Sequence, residues 1–163
     1  MPCRLSLAPA ADLRVFYQAD AARYAMAKPH VLARVTEEAF VSHFLGCPSL
    51  GFECDGRPIG GVIFDGKEAH IAVLPEYRGR WAWLLKPAID WLFSLKPRIL
   101  VEIEGDNKAC IAFMDRNGWR RVSESEEGIT YLMTHQAGTG RLAQRRACGR
   151  ESSAIPASHP RTE

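Results

Sequence analysis

Apolar positions repeat along this chain with two different periods, and the changes of period mark where helices give way to strands. Residues 3–7, CRLSL, alternate, with Cys3, Leu5 and Leu7 on one side. From Ala10 the spacing lengthens. Leu13, Phe16, Tyr17, Ala21 and Tyr24 form one helical stripe, ended by Lys28-Pro29. Val31, Val35, Phe40 and Phe44 form a second, from about His30 to Leu45, closed by Gly46.

The period then falls to two. LGFEC, RPIGGVIF and KEAHIAV are separated by Asp55-Gly56 and Asp65-Gly66, the dipeptides that tight hairpins favour, and predict a three-stranded antiparallel meander. Gly60-Gly61 inside its middle strand predicts a bulge or a close backbone approach. WAWLLKPAIDWLFSL returns to helical spacing through Leu84, Leu85, Ala88, Ile89, Leu92 and Phe93. Pro87 within it predicts a kink, or a regular part that begins late, near Leu84. Ile99 to Glu104 reads as a strand, Lys108 to Arg116 as a short helix ending at Gly118. Trp119 to Ser123 and Gly128 to Thr134 read as a closing hairpin. The fold class is therefore α/β in the α+β sense.

Composition bounds the function. A chain of 163 residues, 47% hydrophobic and 25% charged, can bury the core of one domain, assigned here to residues 1–135. Residues 136–163 lack periodicity and are rich in Arg, Ser and Gly, which predicts a disordered tail. Of the net charge of +2, that tail carries +3, so the body is near neutral and nucleic-acid binding is not expected of the fold. No apolar run reaches the roughly 18 residues a membrane span needs, and the N-terminus lacks a signal-peptide core, so a cytoplasmic protein is expected. Cys3, Cys47, Cys54, Cys110 and Cys148 form no CxxC pair and accompany no His cluster, which predicts reduced thiols and no metal site.

One stretch carries chemistry. In EAHIAVLPEYRGRWAW an apolar strand runs through Pro75 into a basic turn, Tyr77-Arg78-Gly79-Arg80, and on into a helix. A strand that feeds a helix N-terminus in this way presents free N–H groups and positive charge to a phosphate. Val73-x-Pro75-x-x-Arg78-Gly79, then the strand ILVEIE, then Asn107 eleven residues before Gly118-Trp119, resembles the GNAT superfamily of acyl-CoA-dependent N-acyltransferases. The resemblance covers about residues 3–134. The RGRW turn is also similar to that of shortened GNAT-like proteins of tailed bacteriophages.

The resemblance implies a mixed, mostly antiparallel sheet of six or seven strands with helices on both faces, and two N-terminal helices beside the acceptor. It implies acetyl-CoA as cofactor. Arg78, Gly79, Arg80, Trp81 and Ala82 would line the pyrophosphate, Ala72 and Val73 would offer backbone groups to the pantetheine arm, and Asn107 would contact the cofactor. Amine acetylation needs a base, and Glu68 and His70 on one strand, with Glu102 and Glu104 on the next, supply candidates. The acceptor would be the amine of a small molecule or a protein. Departures from the family pattern are Trp81 and Trp83 at positions usually small, and Met114 where the family acid is usually Tyr. They open a second expectation: a catalytically degenerate GNAT-fold protein that binds other proteins, as a virion or assembly component would.

Overall fold

The computed structural model describes residues 3–27 and 34–135. Lys28, Pro29, Val31 and the expected tail lie outside them. The described residues form seven strands and four α-helices, in two antiparallel sheets.

The first sheet has the order β1 (Leu5–Ala8), β2 (Ser49–Cys54), β3 (Arg57–Phe64), β4 (Ala69–Val73). Both Asp-Gly turns fall where the pattern places them. The register between β2 and β3 slips between Phe52 and Glu53, so that Phe52 faces Gly60 while Glu53 faces Pro58, and Ile59 is the extra residue of a bulge. Gly60 has φ +145, and a Cβ there would lie 2.1 Å from the Ala72 carbonyl oxygen, so β3 and β4 approach this closely only at glycine.

Helix α1 (Leu13–Ala27) and α2 (Glu37–Phe44) cover one face of this sheet. Asp12 caps α1, its Oδ1 accepting from Arg14 N at 3.0 Å and Val15 N at 3.1 Å. Phe16 and Ala19 of α1 are buried, and they join Phe40, Ile63 and Ala72 in a small core. Of the expected α1 stripe, Tyr17, Ala21 and Tyr24 are half-buried. The helix carrying Phe40 and Phe44 is entered at Glu37, where Thr36 Oγ1 accepts from Ala39 N at 3.2 Å, and Val35, ahead of the cap, is exposed rather than inward; the expected start near His30 lies outside the described residues.

On the opposite face lies α3 (Ala82–Leu95), burying Leu84, Ala88 and Leu92 at intervals of one turn. It is entered at Ala82 through an i→i−3 bond from Leu84 N to Trp81 O, and Pro87 sits in its second turn, where it leaves the Trp83 carbonyl without its i+4 donor.

The second sheet has the order β5 (Arg98–Glu104), β7 (Gly128–Thr134), β6 (Arg120–Glu124), with α4 (Lys108–Arg116) between β5 and β6. Its inner face, Ile99, Val101, Ile103, Ile129, Tyr131 and Met133, shares one continuous core with Leu50, Phe52, Val62 and α3. Two polar atoms in this core are satisfied at its rim: Tyr131 OH donates to Asp115 Oδ1 at 2.9 Å, and Trp119 Nε1 to Thr134 O at 3.1 Å. The expectation of reduced thiols needs correction, because Cys3 and Cys54 are joined by a disulfide that ties the segment before β1 to the end of β2.

Candidate active site

Between β4 and β5 the ladder consists of a single parallel bridge, Glu68 to Leu100, with Leu100 N donating to Lys67 O at 3.2 Å. Each strand is fully paired on its other side, β4 to β3 and β5 to β7. Beyond the bridge the two edges have no strand partner among the described residues, so a gap opens in the direction of Val73 and Glu104.

Which backbone groups line the gap follows from the alternation of an antiparallel ladder. Asp65 N donates to Glu68 O at 3.2 Å and Leu74 N to Ile59 O at 2.8 Å, so Glu68, His70, Ala72 and Leu74 turn their N–H and C=O toward β3. Ile71 and Val73 turn theirs toward the gap. Ala72, expected to serve beside Val73, has its polar backbone committed to Gly61.

The chain leaves β4 through a 3-10 turn, Pro75–Tyr77. A β-turn follows, closed by Arg80 N donating to Tyr77 O at 3.1 Å. Arg78 has φ −57 and ψ 137, and Gly79 φ +80, which makes this a type II turn and requires glycine at its third position. The amides of Arg78 and Arg80 are thus bonded inside the turn, contrary to the expectation that the bend would leave them free. Those of Gly79, Trp81, Ala82 and Trp83 meet no backbone acceptor among the described residues, and Trp81 supplies no side-chain cap to α3. The Arg78 and Arg80 side chains are exposed, with no carboxylate partner among the described residues. Four amides without a backbone acceptor and two guanidinium groups without a carboxylate partner therefore gather at the start of α3.

The two indoles part company. Trp81 folds back onto the core and stacks on Phe52, with ring centroids 5.6 Å apart and planes at 26°. Trp83 is 87% exposed.

The candidate bases lie on the face covered by α1: Glu68, His70 and Ala72 alternate onto it along β4, where Ala72 joins the Phe16 cluster, and Glu102 and Glu104 alternate onto it along β5, where Glu104 meets Arg23 of α1. Sequence reasoning missed the groups that meet them from α1. Arg23 Nη2 donates to Asp20 Oδ1 at 2.8 Å and to Tyr24 OH at 3.1 Å, and its Nε lies 3.4 Å from Glu104 Oε1, a charge contact too poorly aligned to count as a hydrogen bond. Burial raises the Asp20 carboxyl against the opposing pull of Arg23 and His70. Burial likewise raises the Tyr24 hydroxyl and the Cys110 thiol, both near Arg23 and Glu104. Arg23 is itself raised, since the charges of Asp20 and Glu104 outweigh its desolvation.

This architecture has solved counterparts. PaiA N-acetyltransferase from Thermoplasma acidophilum, in complex with coenzyme A, aligns over 81% of this chain and 99% of its own with a TM-score of 0.60 at 13% identity. The fold is that of the GNAT superfamily. A GCN5-related N-acetyltransferase from Rhodopseudomonas palustris aligns over 82% of this chain and 98% of its own, with a TM-score of 0.57 at 20% identity. The yncA protein of Salmonella typhimurium, with its cofactor acetyl-CoA, covers 80% and 93%, with a TM-score of 0.54 at 21% identity. No family model and no curated protein sequence matches the chain.

Two further positions of the GNAT pattern are fixed by the structure. Asn107 caps α4, its Oδ1 accepting from Cys110 N at 3.2 Å, which fixes the side chain and leaves its Nδ2 free to donate. Met114, at the position of the usual family acid, is buried in the core. Neither Asp20 nor Arg23 carries a local sequence signal for its role. They stand out only as charges at positions i and i+3 next to the apolar stripe of α1.

Proposed function

We propose that this protein is an acyl-CoA-dependent N-acyltransferase, taking acetyl-CoA or a related thioester and passing its acyl group directly to an amine. The observation that carries the reading is the gap between β4 and β5, with free backbone groups along one edge and an uncapped, cationic helix start at its end. A diphosphate with a long amide-bearing arm fits that sequence of sites: anion first, then strand-edge hydrogen bonding.

In this reading the amides of Gly79, Trp81, Ala82 and Trp83, with the Arg78 and Arg80 side chains, hold the pyrophosphate. Val73, joined by Ile71, pairs with the amides of the arm as a missing strand would, and Asn107 Nδ2 reaches it from the β5 side. Packing of Trp81 against Phe52 removes the obstruction that an indole at this position would otherwise pose. The acceptor approaches from the α1 and α2 side, where Glu68, His70 and Glu102 are available to take its proton. The surroundings Asp20, Glu68, Glu102 and Glu104, against Arg23, suit an amine that arrives as an ammonium.

Calorimetric titration with acetyl-CoA tests the reading: a Kd between about 1 µM and 1 mM is expected, and no heat at millimolar ligand overturns it. The exposure of Trp83 favours a second reading, a non-catalytic GNAT-fold protein that docks a protein partner through this indole, as a virion or assembly component would. Acyl transfer to any amine by the purified chain excludes that reading.

A further inference from the structure

The hairpin turn between β3 and β4 does more than reverse the chain. Asp65 Oδ1 accepts from Lys67 N at 2.9 Å and from Glu68 N at 2.7 Å, while its other oxygen, Oδ2, lies 3.0 Å from His70 Nε2. One carboxylate oxygen is thus anchored by the backbone, and the other is aimed at an imidazole five residues on. Phe44 of α2 packs edge-on against the same ring, with centroids 5.4 Å apart, and holds it from the other side. The Asp65 carboxyl is brought down to about 2, because the hydrogen bonds from Glu68, His70 and Lys67 outweigh its partial burial. It is therefore ionised and can only accept, so the hydrogen on Nε2 faces it and the lone pair of the imidazole resides on Nδ1. No hydrogen-bond partner for Nδ1 occurs among the described residues.

We infer that Asp65 is a positioning residue that fixes the tautomer and orientation of His70, and that His70 Nδ1 is the base that deprotonates the acceptor amine. The inference rests on the acyltransferase reading above and selects one base from its three candidates. Glu102 is exposed and no hydrogen bond or ion pair among the described residues orients it, and Glu68 lies at the bridged end of the gap, with Lys67 Nζ at 3.7 Å. His70 is one step past the bridge, where the gap begins. Asp65 touches it from the turn and Asp20 of α1 is near enough to interact with its charge, while Lys67 and Glu68 adjoin it along the chain, Glu102 shares its face of the fold from β5, and His43 of α2 packs against Phe44. This mostly acidic ring draws in an ammonium. His70 Nδ1 takes one of its protons and passes it to solvent, and the freed nitrogen lone pair attacks the thioester carbonyl. The C–N bond forms and the C–S bond breaks, with the electron pair leaving on sulfur. The second proton, shed from nitrogen as the C–S bond breaks, ends on that sulfur.

Asp65→Asn is the informative variant. An asparagine keeps an oxygen for the two backbone N–H groups, so the turn survives, but it presents an NH2 to Nε2. That forces Nε2 to accept and moves the hydrogen to Nδ1, which removes the base while leaving the ring in place. In the full chain, 15N NMR of the imidazole is expected to show the Nε2–H tautomer in the wild type and the Nδ1–H tautomer in Asp65→Asn. With acetyl-CoA and a panel of primary amines (a polyamine, an amino acid, an aminoglycoside and a lysine peptide), kcat is expected to fall by about 10^2 to 10^3 in Asp65→Asn and in His70→Gln, with the KM for acetyl-CoA little changed. The double variant should be no worse than His70→Gln alone. The inference is overturned by an Nδ1–H tautomer in the wild type, by wild-type kcat in either single variant, or by losses that multiply in the double variant. Full turnover in His70→Gln removes His70 while leaving the acyltransferase standing. Failure of the wild type both to bind acetyl-CoA and to acylate any amine removes both.

Discussion

Replacing Gly60 with alanine tests the geometry on which the gap depends. At φ +145 an L-residue is strained by about 1 to 3 kcal/mol. The added Cβ would also lie 2.1 Å from the Ala72 carbonyl oxygen and 2.8 Å from Val73 Cα, both backbone atoms that no rotamer change relieves. β4 must therefore retreat by about 1 Å, which stretches the adjoining ladder bonds, each worth about 0.5 to 1.5 kcal/mol net. Together these give a loss of about 2 to 5 kcal/mol, and at 2 to 4 °C per kcal/mol for a chain of this size, a fall in Tm of about 5 to 20 °C. Gly66→Ala is the internal control, because Gly66 also has positive φ, +98, but nothing lies within 4 Å of its would-be Cβ. Thermal denaturation of the two variants side by side separates strain from collision. Equal losses in both would refute the close approach of β3 and β4, and with it the placement of Val73 at the gap. If the approach is as described, Gly60→Ala also weakens acetyl-CoA binding, since the displaced segment is the one expected to pair with the arm.

Other outcomes follow from the same structure. Reducing the Cys3–Cys54 disulfide, which spans 51 residues, is expected to cost up to about 4 kcal/mol from loop-closure entropy, read as a drop in Tm with dithiothreitol that the Cys3→Ser variant no longer shows. Arg78→Ala and Arg80→Ala should each raise the Kd for CoA by about tenfold, with a shallower salt dependence, while dephospho-fragments lacking the pyrophosphate bind both variants like the wild type. Asp65 has a folded-state pKa of about 2, below its unfolded value near 3.8, so its contribution to stability is complete above about pH 4 and is lost as pH falls through about 2. Denaturation of wild type and Asp65→Asn should therefore converge over that window, and a constant difference down to pH 2 would contradict the assignment.

Local chemistry announced the parts of this fold that local chemistry builds. Asp55-Gly56 and Asp65-Gly66 fixed the meander because their backbone angles suit the turn whatever surrounds it. The start of α2 was readable too, since Thr36 followed by two glutamates is a capping signal, but apolar periodicity alone carried the helix back past it. The expectation of reduced thiols failed for a different reason: Cys3 and Cys54 meet only after β1 pairs with β2, and nothing near either residue encodes that pairing. Periodicity could not divide the roles of Trp81 and Trp83 either. What separates them is Phe52, a ring on a distant strand that Trp81 reaches and stacks upon while Trp83 stays exposed. The same limit hid Arg23, whose partner Glu104 is on a strand of the other sheet, and it masked Asp65, whose sequence role as a turn residue is true and incomplete.

The single bridge between the two sheets has a mechanical meaning. Hydrogen bonding divides the chain into a four-stranded and a three-stranded unit, yet Leu50 and Val62 of one share their apolar cluster with Ile99 and Tyr131 of the other, and Leu84, Ala88 and Leu92 are wedged among both. Cohesion across the seam therefore comes from dispersion and water exclusion, which are indifferent to small rotations, rather than from directional bonds, which are not. The two halves are therefore expected to melt as one cooperative unit, with facing edges that no ladder of hydrogen bonds holds together.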